Sequence, residues 1–336
     1  MATTIRSEDP NSEQWTLLSQ YSYPIHIRRY ATAHGLSFSD DTLSYVAGSI
    51  RQSEAYFTAA KSSPLDISPL LLYYGATILL AGVRSLMTAQ TPAAKHHGMR
   101  FFLPSGTSTR IADFRIRPVR ESDGALQEFA NVFGDGCVLP GLGDWTMLEI
   151  FSSIPDLRDE FERCYEPELT NFVPVETVTD KLGEIEFTYH RVRMNTLKRY
   201  GDPFKTLSSI VGARVNYIPF RINIPSEHAN LYFREKQPSD SIYSISGQEY
   251  LPMNFEKNGQ NIRPTQLILL VMGLFGLGFL SRYYPDRWNA FVRTDETGER
   301  LLIEKFMSNC HRQFPNLVLD AVRGERLQFA YLVSTD

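Results

Sequence analysis

Cysteine is scarce: Cys137, Cys164 and Cys310 are the only three in 336 residues, far apart and without a C-x-x-C pair. That excludes a disulfide framework and a zinc knuckle, and it fits a reducing cytosol. Low hydrophobicity with high net charge, the composition of a disordered chain, is also absent. The chain is 43% apolar and its formal net charge is −4, so it does not coat a polyanion wholesale. Several catalytic signatures are missing as well. There is no G-x-x-x-x-G-K-[ST] loop, no G-x-S-x-G elbow and no H-E-x-x-H helix. None of the eight lysines has an acidic residue two positions before it, which removes the carboxylate-x-lysine pairing of many metal nucleases. The first residues carry no basic and apolar leader, and the last carry no lipidation box. No metal and no cofactor is expected.

What is present is aromatic and apolar mass, with 17 Tyr and 21 Phe. Two stretches stand out, Pro69 to Val83 and Leu267 to Leu280. Both fall short of the ~20 apolar residues that a membrane span needs, so they are expected to be buried helices packed together in one core. On this reading the protein is soluble and cytoplasmic, without a membrane.

The pattern predicts a mostly α fold with an α+β insertion, its helical core built from N- and C-terminal segments. Residues 1–14 read as a flexible tail, 15–100 as a helical segment, 101–262 as the mixed insertion and 263–336 as a second helical segment packing on the first. Apolar residues from Leu43 to Ala60 share one helical face, and Ser68 then Pro69 open the next helix. Alternation at Ala112, Phe114 and Ile116, and again at Ile185, Phe187 and Tyr189, reads as strand. Glu299 to Arg312 reads as one helix and Pro315 to Val322 as another, closed by Gly324.

Three blocks carry a family resemblance. They are Ser68-Pro-Leu-Leu-Leu-Tyr-Tyr-Gly75, His96-His97-Gly98-Met99, and Leu280-Ser-Arg-Tyr-Tyr-Pro-Asp-Arg-Trp288. In that order they resemble the bacterial YaaC-like family, over about residues 40–325. The family name implies no settled activity. A shorter stretch, from Pro69 to Met99, resembles HEPN helical domains, which implies a small helical bundle, often dimeric. It also implies a place in bacterial defence and, for some members, RNA cleavage.

Catalytic HEPN proteins use an Arg with a His a few residues later. Arg28 and Arg29 precede His34 at allowed spacings, and Arg221 precedes His228. These pairs are close to what 26 arginines and seven histidines give by chance. Arg29 and His34 form the better candidate, against a plain solvated helix end. His96 and His97 are adjacent, which suits a helix C-terminus better than a metal site. Gly134, Gly136, Gly141 and Gly143 read as a loop. The nucleic-acid candidates are Arg191, Arg193, Lys198 and Arg199, interleaved with Tyr189 and Tyr200. Arg110, Arg115, Arg117 and Arg120 form a second basic strip. Tyr73, Tyr74, Arg282, Tyr283, Tyr284 and Trp288 read as a structural clamp or interface, where Arg can stack on aromatic rings. The expected function is an interaction or scaffold protein, a homodimer or the partner of another protein, in a defence or stress-response system. The alternative is an RNA-binding protein or ribonuclease of HEPN type.

Overall fold

The computed structural model describes residues 3–104, 110–119, 124–134, 143–182, 184–199, 202, 227–231 and 241–332. In chain order the elements are β1 (Thr3–Ser7), α1 (Pro10–Ser19), α2 (Pro24–His34), α3 (Asp40–Ser62) and α4 (Ser68–Thr88). Then come β2 (Met99–Phe102), β3 (Arg115–Pro118), α5 (Ala125–Phe133), β4 (Trp145–Thr146) and α6 (Met147–Phe151). They are followed by α7 (Arg158–Cys164), β5 (Phe172–Pro174), β6 (Glu176–Leu182), β7 (Ile185–Arg193) and α8 (Met194–Arg199). Next are β8 (His228–Leu231), β9 (Ile242–Tyr243), β10 (Glu249–Pro252), β11 (Phe255–Lys257) and β12 (Gln260–Ile262). The last are α9 (Gln266–Tyr283), α10 (Pro285–Asn289), α11 (Arg300–Arg323) and β13 (Leu327–Tyr331). The fold is mostly α with an α+β insertion.

Two compact units result. The first joins residues 1–147 to 267–336, and the second is residues 148–266. The helical segments of both ends therefore share one unit. The expected insertion began at residue 101; instead 101–147 belongs with the ends. β2, β3 and β4 form one antiparallel sheet that is tied to the C-terminal segment: Phe101 stacks on Phe279 at 5.0 Å, and Ile111 donates its backbone N–H to the buried Glu299 carboxylate at 3.0 Å.

In the first unit α3 and α4 form a tight antiparallel pair. Ser39 caps α3 by accepting from Thr42 N at 3.1 Å. Its buried stripe is Leu43, Val46, Ala47, Ile50 and Phe57. Opposite it, Gly75 and Gly82 lie seven residues apart on one face of α4. A Cβ on Gly82 would come within 2.6 Å of Ser49 Cβ, and one on Gly75 within 2.8 Å of the Phe57 ring. The missing side chains let the backbones approach, and Ser53 Oγ reaches the Gly75 carbonyl at 2.7 Å. Ser68 is the first helical residue rather than the cap, which falls on Ile67.

Three expectations are corrected here. Residues 3–14 are not a loose tail: β1 pairs in parallel with β13, Thr3 opposite Leu327, and Asp9 caps α1 by accepting from Asn11 N and Ser12 N. The two helices expected around Pro315 are one, α11. Proline deprives the His311 carbonyl of its usual donor, but Phe314, Val318 and Leu319 are fully buried and hold the helix through it. The strand expected from Ala112 begins only at Arg115, after a tight turn at Ile111–Asp113.

α4 and α9 are long and apolar enough, by length and composition alone, to cross a membrane. In the structure 56% and 78% of their apolar windows are buried. They touch directly, with the Tyr73 and Phe275 rings 5.6 Å apart. The second unit holds two three-stranded sheets, ordered β5–β10–β9 and β6–β7–β8, and the hairpin β11–β12. Its core includes Val173, Val192, Leu197, Leu231 and Leu251.

Candidate functional site

The three sequence blocks meet in the first unit. Tyr73 and Tyr74 lie in the second turn of α4, and Arg282 and Tyr283 end α9. Helix α4 stops at Thr88, so His96 and His97 do not cap it. The first turn of any helix leaves backbone N–H groups without intrahelical partners. In α5 these groups hold the histidine segment instead: Ala125 N donates to the His96 carbonyl at 2.9 Å and Leu126 N to that of His97 at 3.2 Å. Glu128 of α5 adds a third tie by accepting from Ala93 N at 3.0 Å, while it pairs with Arg84 at 3.2 Å. Gly98 has φ +76°, and a Cβ there would lie 2.9 Å from Leu126 N, so this step admits only glycine. His96 Nδ1 accepts from Gly98 N at 3.0 Å. The segment is thereby fixed, and His97 is set over Tyr73.

Tyr73 is 4% exposed, and its Oη lies 2.9 Å from His97 Nδ1. Burial, with Tyr74 beside it, holds the Tyr73 phenol well above its ordinary pKa, so it keeps its proton. A buried hydroxyl needs an acceptor, and the imidazole Nδ1 provides it. That hydrogen bond selects the tautomer with the proton on Nε2. Burial of the inner part of the ring, then the neighbouring His96 and Arg282, holds the His97 pKa below that of an ordinary imidazole. His97 is therefore neutral near pH 7, and on this exposed residue Nε2 is left to donate.

Arg282 donates from Nη1 to Tyr74 Oη at 2.9 Å, and its guanidinium lies 4.9 Å from the centre of the Tyr283 ring. Beneath these groups is a layer of aromatics. Phe275 contacts Tyr73 and His97, Phe279 contacts Tyr283 at 4.6 Å between ring centres, and Phe101 of β2 stacks on Phe279 at 5.0 Å. Phe275, Phe279 and Tyr283 are four residues apart on α9, a spacing visible in the sequence but absorbed there into a uniformly apolar run. Tyr56 of α3, 6.1 Å from Tyr74, was not singled out either. Tyr284 packs near Phe101 and Phe279, and Trp288 is buried. Tyr73, Tyr74, Arg282, Tyr283 and Tyr284 thus lie around one aromatic layer, with Arg282 and Tyr283 exposed; Trp288 is buried one helical turn beyond Tyr284.

The other candidates fare differently. Arg29 and His34 are five residues apart on α2, about 140° around the helix, and face different ways. His34 stacks on Tyr30 at 3.9 Å and its Nδ1 lies 2.9 Å from the Tyr30 carbonyl, within its own turn. Arg221, Arg120, Tyr200, Gly136, Gly141 and Cys137 lie outside the described residues. In the second unit β7 turns His190 and Val192 into the core, while Arg191 is partly covered and Arg193 exposed. Arg191 donates to Tyr189 Oη at 3.0 Å and stands opposite Glu176 in the sheet. Arg199 is paired with Glu162, which also binds Arg158. Lys198 is exposed. In the first unit Arg115 and Arg117 share Asp144. Among the described residues no group of three or more His, Cys, Asp or Glu is placed to hold a metal ion.

Fold and site together define a protein with a discontinuous helical unit, an inserted α+β unit and a cation–aromatic surface on the helical one. The model of the YaaC-like Protein family matches residues 8–322, and the chain belongs to that family. The HEPN likeness is not shown by the comparisons. No curated protein and no solved structure matches the chain.

Proposed function

We propose that the protein is a soluble interaction protein that recognises an anionic partner through Tyr74, His97, Arg282 and Tyr283. One observation carries this reading: the segments around Tyr74, His97 and Arg282 converge on hydrogen-bond donors over a packed aromatic layer, and the Arg282 cation is among the groups acting on His97. A general base must turn a lone pair toward its substrate. The hydrogen bond from Tyr73 occupies Nδ1 and leaves Nε2 as a donor, which suits binding better than proton abstraction. The burial of α4 and α9 supports a soluble, cytoplasmic protein whose helical unit serves as scaffold. A homodimer, or a complex with another protein in a defence or stress-response system, belongs to the same proposal.

The second reading is an RNA-binding protein or ribonuclease of HEPN type, which the cation–aromatic character of the same surface favours. The test replaces Tyr283 with a photo-crosslinking residue in cells, with and without Arg282→Glu. The interaction reading expects one dominant adduct that Arg282→Glu abolishes; an adduct indifferent to that charge overturns it. In parallel, purified protein is incubated with structured RNA. Cleavage lost in His97→Ala would replace the interaction reading with the ribonuclease one, and no cleavage should depend on His34.

A further inference from the structure

The donors at this surface are of three kinds. Arg282 spends Nη1 on Tyr74 Oη and keeps the rest of a planar fork, which matches two oxygens of a phosphate. His97 adds a single N–H from Nε2. Tyr74 accepts from Arg282 and has its own O–H left to give. A phosphate monoester can accept from all of them on three terminal oxygens, and its charge near pH 7, about −1.5 to −2, exceeds the single charge of a carboxylate. The guanidinium also lies over Tyr283, which is 53% exposed and backed by Phe279. A planar cation over an exposed ring can extend the stacking surface offered to a further planar group.

Resting on the anion-binding reading above, we infer that the Tyr74–His97–Arg282–Tyr283 surface is a nucleotide site. The phosphate monoester accepts from Arg282 and His97, and the base lies on the Arg282–Tyr283 stack. A free nucleoside monophosphate and the 5′-phosphorylated end of an RNA strand present this same chemistry.

The experiment is isothermal titration of the full chain with AMP, adenosine, inorganic phosphate, and a short oligoadenylate with or without its 5′ phosphate. AMP or the 5′-phosphorylated strand should bind, and adenosine or the 5′-hydroxyl strand should bind at least about tenfold more weakly, because charge-assisted hydrogen bonds to phosphate are lost. Arg282→Ala should weaken binding by at least about tenfold, with Arg282→Lys restoring only part, since a point charge lacks the fork. Tyr283→Ala should weaken AMP while leaving inorganic phosphate unchanged. Binding of AMP alone assigns the site to a free nucleotide, and binding of the strand alone assigns it to an RNA end. Adenosine binding as tightly as AMP, binding unchanged in Arg282→Ala at an unaltered melting temperature, or no binding of either ligand overturns the inference. If neither binds while the crosslink at position 283 still depends on Arg282, the interaction reading stands and only this inference falls.

Discussion

Two regions of this molecule are rich in arginine and aromatic rings, and they differ in what neutralises the charge. On β7 and α8 the basic residues are neighbours in sequence, yet the fold disperses them. Alternation along the strand buries His190 and Val192, Tyr189 engages Arg191, and Glu162 takes Arg199. At the meeting of α4, α9 and the His96–Gly98 segment, the residues come from positions some 200 apart, and the partners of Arg282 are a phenol oxygen and a ring. A carboxylate cancels a cation, as Glu162 does for Arg199, while a phenol only orients it, as Tyr74 does for Arg282 and Tyr189 for Arg191, which has Glu176 opposite it in the sheet. The comparison teaches that basic–aromatic spacing along a chain says little until the acidic partners are known.

The comparison breaks most violently if the base of the first region is removed. Leu270 is fully buried in α9. Leu270→Asp should cost on the order of 4 kcal/mol or more by burying an unpaired charge, and thermal melting should show the loss. A melting temperature near that of the wild type would refute the core assignment.

Next in size are two opposed titrations on α11. Burial raises the Asp320 carboxyl from 3.8 to about 7, against the pull of Leu327 N, Arg326 and Asn316. As pH rises from about 4 to 7 the unfolded chain releases this proton before the folded one does, so stability falls, by up to about 4 kcal/mol. Burial, then Lys61, lowers His311 from 6.5 to about 4. As pH drops from about 6.5 to 4 the unfolded chain takes up a proton that the folded one refuses, so stability falls in that direction, by about 3 kcal/mol. Between pH 4 and 6.5 the two slopes oppose. Asp320→Asn should raise stability above pH 7 by about 1–3 kcal/mol and unmask the acid-side loss of His311 in denaturant titrations. A profile unchanged by Asp320→Asn would show that Asp320 is not shifted, and a variant with no acid-side loss would show the same of His311.

Smaller still are the effects on the two arginine regions. Arg199→Ala should change stability by no more than about 1 kcal/mol, because Arg199 is half exposed and Arg158 still pairs with Glu162, and should leave ligand binding at the first region untouched. Arg282→Ala should raise the His97 pKa, because it removes one of the charges that hold it down; histidine NMR titration follows this directly. A His97 titration indifferent to Arg282 would separate the two residues and dissolve the first region as a unit.

Much of this was legible in the sequence for definite reasons. The long helices α3, α4 and α9 declare themselves through apolar periodicity or unbroken apolar length, and Gly324 does end α11, at φ +64°. Pro315 misled because local proline chemistry argues for a break that tertiary burial overrides. The parallel pairing of β1 with β13 was invisible because its partners are more than 300 residues apart. For the site, Tyr73, Tyr74, Arg282 and Tyr283 are legible as one clamp, while His97 stands apart from it in the sequence. His97 read as a helix end because nothing in its own neighbourhood reveals that α5, some 30 residues later, donates its first backbone N–H groups to the segment's carbonyls. Gly124 belongs to the same packing, since a Cβ there would lie 2.6 Å from Gly98 Cα.

The claim on which the account turns is that His97 presents a donor, not a base, at this surface. Long-range 1H–15N correlation of the histidine rings at neutral pH reads the tautomer directly. The Tyr73 hydrogen bond predicts a neutral His97 with its proton on Nε2, and loss of that preference in Tyr73→Phe. A neutral ring protonated on Nδ1, or a tautomer unchanged by Tyr73→Phe, would contradict it.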